Sequence, residues 1–360
     1  MEFALSEEQV MIQDSFRGTL NRVSPLNRVR EVAESGSKLD PAMWDGLVEM
    51  GMPSLIIPEE YGGAGLGLME AAIVAGELGR SAAPVPFVAG AVMAPLAIDL
   101  AGNDSQKSAW LAKLASGELQ MSVAISETAG GAREDAGVRV EAGKINGRAI
   151  FSLDATDADA FLVADGRDGL HIVAADAEGL IDRELRTIDR TRVVNELRFD
   201  GVACDSLANC DAAIVSKVID AGRIILAADS LGAAEEMLRQ AVEYAKERRQ
   251  FDRVIASFQA VKHMCAEMAS ELEPCRALVW YAAYAFDNMP DEASLQAALA
   301  KSHVDEVGRF VARTATEVHG GMGFTDLMGL HYWFKRIGFN RAVLGGPERV
   351  RAEAAVLLGL

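Results

Sequence analysis

Four stretches bring together residue types that could do chemistry. In ERRQFDRVIASFQAVKH, residues 247–263, Arg248, Arg249 and Arg253 concentrate positive charge beside Phe251 and Phe258. Guanidinium forks suit phosphate oxygens, although the C-terminus of a helix also favours solvated cations. In EVHGGMGF, residues 317–324, Gly320, Gly321 and Gly323 have no Cβ to keep backbone N–H groups away from a pyrophosphate. A helix C-cap explains the same glycines equally well. In SETAGG, residues 126–131, a hydroxyl, a carboxylate and two glycines end a strand, either as a pocket lining or as an ordinary turn. In VLGGPERV, residues 343–350, Gly345, Gly346 and Pro347 break a helical stretch. The break is either a joint between helices or backbone held against a ligand, and Glu348 is the acid within it.

The elements around these stretches change character along the chain. Residues 1–118 read as helical: Ser6 caps an amphipathic segment, Asp40-Pro41 starts a second, and a Pro- and Gly-rich loop leads into a helix over about 67–78. Residues 119–205 read as a small β domain. LQMSVAIS is its first strand, GVRVEAGKINGRAIFS a hairpin around a Gly- and Asn-containing turn, and DAFLVA, LHIVAA and VVNELRFDGV its further strands. Residues 206–360 return to helical periodicity and predict four long antiparallel helices, hence a bundle.

Composition narrows the function classes. Half of the 360 residues are hydrophobic and only 6% aromatic, which favours helix. A net charge of −18 argues against nucleic acid and anionic membrane surfaces as partners. The acidic N-terminus lacks a secretory pattern, and no apolar run is long enough to cross a bilayer. Cys204, Cys210, Cys265 and Cys275 form no CxxC pair. A reduced cytoplasm is therefore expected, and no metal site.

In this order and on this architecture, the stretches resemble the acyl-CoA dehydrogenase family. The resemblance rests on IPEEYGGAGLGLMEAAIVAGELGR, ERRQFDRVIASFQAVKH and EVHGGMGF, and it covers essentially the whole chain. It implies a mainly α fold with a central β domain: an N-terminal helical domain, a small β-barrel or sandwich, and a C-terminal four-helix bundle. It also implies FAD between the β domain and the bundle. The activity implied is oxidation of the Cα–Cβ bond of an acyl-CoA thioester, with a carboxylate base taking the α-proton and flavin N5 the β-hydride. Electrons would pass to an electron-transfer flavoprotein. Most members are dimers of dimers in which the adenosine end of FAD touches a neighbouring subunit.

Carried over residue by residue, Arg248, Phe251 and Gln259 match the inter-subunit FAD contacts, and Gly320 and Gly321 the glycines beside the dinucleotide. Ser126 matches a hydroxyl that bonds the flavin ring, and Phe151 an aromatic stacked on it. Departures from the family pattern accompany these matches. Leu153 stands where a hydroxyl is usual, Ala132 (with Arg133 beside it) where a Ser often touches the thioester–CoA portion, and Glu317 where a Gln usually nears the pyrophosphate. The usual base position holds Leu344, and the alternate one, on an earlier bundle helix, holds Arg223. Glu348 is a candidate base but fits better as a first-turn helix residue after Pro347, and Asp229 is a weaker candidate. Two readings follow. One is a working dehydrogenase with a relocated base. The other is a base-less partner subunit that completes the site of another chain, as in α2β2 family members acting on steroid side chains or rings. A flavoprotein of this fold with other chemistry is a third. Small residues in SLGAAEEM, 230–237, and around Gly345-Gly346 would leave room for a bulky acyl group.

Overall fold

The computed structural model describes residues 4–36, 39–131, 136–166 and 168–360. The Ala132–Arg133 expectation lies outside these residues.

Among the described residues, six α-helices come first: α1 (Glu7–Val23), α2 (Leu26–Ser35), α3 (Pro41–Val48), α4 (Leu68–Arg80), α5 (Ala94–Ala101) and α6 (Asp104–Ala115). Ser6 caps α1 in a reciprocal capping box with Gln9. Asp40 accepts from the Met43 N–H ahead of Pro41 in α3. A π-helical stretch, Val88–Met93, leads into α5.

The strand region then runs through β1 (Met121–Ala124), the short helix α7 (Ser126–Gly130), β2 (Gly137–Glu141), β3 (Lys144–Leu153), β4 (Ala160–Ala164), β5 (Leu170–Ala174), β6 (Leu180–Leu185), β7 (Val194–Ala203) and β8 (Asp205–Ser206). They form one mixed sheet in the order β6-β7-β3-β1-β4-β5-β8, with β2 paired to β3. β1 and β4 run parallel. The alternation of strand side chains splits the sheet between two cores. Phe161, Val163, Val173 and Phe199 pack inside the curled sheet, while Val123, Leu162 and Ile172 face the helices. The β2–β3 turn is Ala142-Gly143, both at positive φ. Asn146, expected near that turn, instead lies within β3 and accepts the Gly201 N–H. β6 and β8 were not foreseen: β6 is mostly exposed and lacks apolar alternation, and β8 has only two residues.

The C-terminal part has three long helices, α8 (Ala212–Glu247), α9 (Gln259–Asn288) and α10 (Pro290–His319), followed by α11 (Leu330–Ala342) and α12 (Pro347–Leu357). A two-stranded hairpin, β9 (Arg249–Gln250) and β10 (Arg253–Val254), joins α8 to α9. The fourth helix, expected to be long and to follow Gly346, is the short α12, and α11, ahead of the break at 343–346, was not foreseen. The small residues of SLGAAEEM serve helix packing, which corrects the expectation that they leave space for an acyl group. A Cβ on Gly232 would lie 1.8 Å from the Gly76 carbonyl oxygen, and one on Gly79 would lie 1.9 Å from that of Asp229. The backbones of α4 and α8 are therefore in contact. No helix among the described residues is long and apolar enough to cross a membrane.

Candidate active site

The first cavity forms where α7 and β3 meet the break between α11 and α12. In β3 the register with β7 shifts between Ala149 and Ser152. Phe151 sits in that bulge at φ 62°. A bulge re-aims a side chain, and Phe151 here lines a cavity of about 240 Å³ together with Ser126, Gly131, Phe339, Leu344 and Gly345. α7 is tied to the bulge at two points. The Ser126 hydroxyl donates to the Phe151 carbonyl at 2.9 Å, and Glu127 accepts the Ile150 N–H at 2.6 Å. Ser126 therefore reaches the cavity with its proton already engaged. Leu153, two residues beyond Phe151, is buried in the main core and does not line the cavity.

Leu344 has φ 56°, an uncommon conformation for a side chain branched at Cγ. It is 2% exposed. Its Cδ1 would be 2.5 Å from a Cβ on Gly222, so the side chain fills the notch that this glycine leaves in α8. The Leu344 carbonyl accepts a hydrogen bond from Arg223 Nε–H at 3.0 Å. The two base positions named by the resemblance are thus neighbours in space, although 121 residues separate them in sequence. Neither carries a carboxylate.

Arg223 also borders a second cavity, of about 480 Å³, between α8, α10, α12 and the β4–β5 loop. Val215, Ile219 and Ala298 form apolar wall, whereas Asp220, Ser294 and Glu353 form a polar end around Arg223. Arg223 Nη2 pairs with Glu353 at 2.7 Å, and Arg223 Nη1 lies 3.7 Å from Asp220 Oδ1. Ser294 Oγ–H donates to Asp220 Oδ2 at 2.7 Å. Burial pushes the Asp220 carboxyl up to about 6, against the Ser294 hydrogen bond and the Arg223 charge. The sequence reading passed over Asp220, Ser294 and Glu353. For Asp220 a signal was available: it lies one helical turn before Arg223 within the apolar run VIDAGRIILAA.

Glu348 faces solvent in the first turn of α12, its side chain 75% exposed and paired with Arg341 at 3.1 Å. Its own backbone N–H and then Arg341 hold its carboxyl below the usual range, and it lines neither cavity. Asp229 is buried between Arg336 (2.6 Å) and Arg192 (2.9 Å) and accepts from Asn340. It is committed to that network and lines neither cavity.

The remaining expected residues gather at the far end of α8. Arg248 is its C-cap. Phe251, at the tip of the β9–β10 hairpin, is 87% exposed and edge-on to Phe258 at 6.1 Å. Arg253 stacks over Phe258 at 4.0 Å. Gln259 opens α9. Tyr244 of α8 stacks on His319 at 4.5 Å, which brings Glu317, Gly320 and Gly321 to the same end. Gly320 and Gly321 have open space where a Cβ would be, and Glu317 is exposed. About 37 Å of helix, at ~1.5 Å per residue, separates Arg223 from Arg248. Ser126, Phe151, Leu344 and Arg223 therefore gather at the cavities, and Arg248, Phe251, Gln259, Glu317, Gly320 and Gly321 at the distant end, while Leu153, Glu348 and Asp229 belong to neither group.

Comparison with known proteins bears directly on this geometry. Residues 6–118 match the family model for the acyl-CoA dehydrogenase N-terminal domain, and residues 212–355 match that for the C-terminal domain. The chain is 31% identical to acyl-CoA dehydrogenase IpdE2 of Mycobacterium tuberculosis, over 97% of this chain and 98% of that protein. The chain belongs to the acyl-CoA dehydrogenase family. Acyl-CoA dehydrogenase structures share its fold throughout. A steroid acyl-CoA dehydrogenase, the Tcur3481–Tcur3483 G363A variant, superposes with a TM-score of 0.89 at 30% identity, covering 98% of each chain. The ChsE4–ChsE5 complex from Mycobacterium tuberculosis superposes with a TM-score of 0.91 at 26% identity, covering 100% of this chain and 99% of that one. This member of the family is an oxidoreductase by descent, with Leu344 and Arg223 where the resemblance expects a carboxylate.

Proposed function

We propose that this chain is an FAD-dependent acyl-CoA dehydrogenase that introduces a Cα–Cβ double bond into an acyl-CoA thioester and passes the electrons to an electron-transfer flavoprotein. One observation carries the reading: Ser126, Phe151 and residues 344–346 converge on one cavity beside a second, larger one. The smaller cavity suits a flavin ring, with aromatic walls from Phe151 and Phe339 and glycines that let backbone approach. FAD, when bound, supplies the hydride acceptor. The larger cavity is the route for the thioester. Its apolar wall excludes water, and Arg223 fixes the Leu344 carbonyl at the boundary between the two spaces.

Arg248, Phe251, Gln259, Gly320, Gly321 and Glu317 are proposed to meet the adenosine end of FAD in a neighbouring subunit. Their distance along α8 from the flavin group supports this, since a single chain presents the two groups at opposite ends. Assembly as a homo- or hetero-oligomer in the cytoplasm completes the reading. A second reading, a subunit that completes the site of a different chain, is favoured by the missing carboxylates at 344 and 223. It is also favoured by relatives whose printed names are pairs, Tcur3481–Tcur3483 and the ChsE4–ChsE5 complex.

The visible spectrum of the purified chain separates the two. A flavin band that bleaches with an acyl-CoA is the expected result. Flavin and activity that appear only when an unlike homologous chain is added would transfer the assignment to the second reading.

A further inference from the structure

We propose that Asp220 is the base that removes the α-proton of the acyl thioester, in place of the carboxylate absent from Leu344 and Arg223. The inference rests on the dehydrogenase reading above.

Asp220 is 4% exposed and lines the 480 Å³ cavity one helical turn before Arg223. The Ser294 hydroxyl holds Oδ2 at 2.7 Å. Oδ1 is ion-paired with Arg223 Nη1 at 3.7 Å, a separation beyond hydrogen-bond length, so this contact does not occupy its lone pairs. The same guanidinium reaches the Leu344 carbonyl at 3.0 Å. Asp220 and the usual base position therefore flank one side chain. Among the described residues, the other acids lining the two cavities are engaged or exposed. Glu127 accepts the Ile150 N–H on the flavin side. Glu353 is paired with Arg223 at 2.7 Å and with Arg349 at 3.1 Å. Asp168 faces solvent from the β4–β5 loop.

The charged and polar groups facing Asp220 are Arg223 on its own helix, Ser294 on α10 and Glu353 on α12, with Asp168 across the cavity. Burial raises its carboxyl to about 6, so it is ionised at neutral pH and a stronger base than an ordinary carboxylate. In the step, the Cα–H bond breaks and its proton goes to Asp220 Oδ1. The electron pair left on Cα would form the Cα=Cβ bond while the Cβ–H pair left as hydride; FAD, whose ring Ser126, Phe151 and Phe339 would hold, would supply the two-electron acceptor, so that oxidation of the thioester is balanced.

The test uses the flavin-loaded protein, with its partner chain if one is required. Two measurements are made: bleaching by acyl-CoA, and hydrogen–deuterium exchange at Cα of a 3-thia-acyl-CoA, which can lose the α-proton but has no β-hydride to give. Asp220→Asn should slow both by ~10²–10⁴-fold and abolish the acidic limb near pH 6 in kcat/KM. Asp220→Glu should recover part of the exchange. Ser294→Ala, which removes a hydrogen bond to the charged form, should move that limb to higher pH. Exchange by Asp220→Asn within about threefold of wild type overturns the assignment. If Asp220→Asn does not fold, an acidic limb unmoved by Ser294→Ala overturns it instead. Wild-type protein that neither bleaches nor exchanges overturns the dehydrogenase reading itself, a distinguishable outcome.

Discussion

Leu344 and Glu348 lie four residues apart, and their environments are opposite. Leu344 is buried against Gly222, at positive φ, with its carbonyl held by Arg223. Glu348 is in water, bound to Arg341, on the far side of the Pro347 turn. A general base has to come within hydrogen-bond reach of the proton it takes, and Glu348 borders neither cavity. Glu348→Gln should therefore leave turnover of the holoenzyme unchanged within about twofold, as measured by steady-state dehydrogenation; a loss comparable to that of Asp220→Asn would reverse the two roles. The placement of Glu348 was legible in sequence, because Pro at the first helical position followed by an acid is a helix-start signal. That Arg223 bonds the Leu344 carbonyl was not, because no local pattern links residues on different helices.

The α4–α8 contact is the element on which the site's geometry depends, since α8 carries both Arg223 and Asp220. Gly76, Gly79 and Gly232 let the two backbones touch. In sequence, GLGLMEAAIVAGELGR and SLGAAEEM read only as small-residue helices, and whether small residues leave a cavity or admit a neighbour depends on what packs there. The structure shows a neighbour. Gly232→Ala would place a methyl 1.8 Å from a carbonyl oxygen, so helix α4 or α8 must shift. The expected destabilisation is about 3 kcal/mol, from overpacking. Urea unfolding would register this as a lowered midpoint, with flavin content falling in parallel. A midpoint at the wild-type value would show that the two helices are not in such close contact.

Across the whole molecule, one buried charge network joins all three regions. Arg336 of α11 pairs with Asp229 of α8 and donates to the Ala83 carbonyl. Arg192, from the β6–β7 connection, bridges Asp229 and Asp154, and Asp154 accepts the Ala89 N–H. Burial works against the Asp229 charge, yet Arg336 and Arg192 outweigh it and hold the carboxyl below its usual range. A depressed folded-state pKa contributes stability that is present above the ordinary carboxylate value and is lost as pH falls through the lowered one. Asp229→Asn leaves two buried guanidiniums undercompensated. The expected cost is about 3 kcal/mol near neutral pH, the lower end for a broken buried pair because Asp154 and Asp189 remain nearby. Thermal unfolding at several pH values checks this. The gap between variant and wild type should narrow at strongly acid pH, and a gap that widened there would contradict the assignment.

The sequence by itself determined the order of helices, strands and helices and the Ser6 and Asp40 caps. It also carried the long motifs that mark the family, because periodicity, capping and motif spacing are local properties of the chain. Only the tertiary structure decided which residues meet. It brought Ser126, the Phe151 bulge and Leu344 around one cavity, put Asp220, Ser294 and Glu353 around Arg223, and assigned Asp229 to a structural network. Those outcomes depend on desolvation and on contacts between elements far apart in the chain. Neither is encoded in any single stretch of sequence.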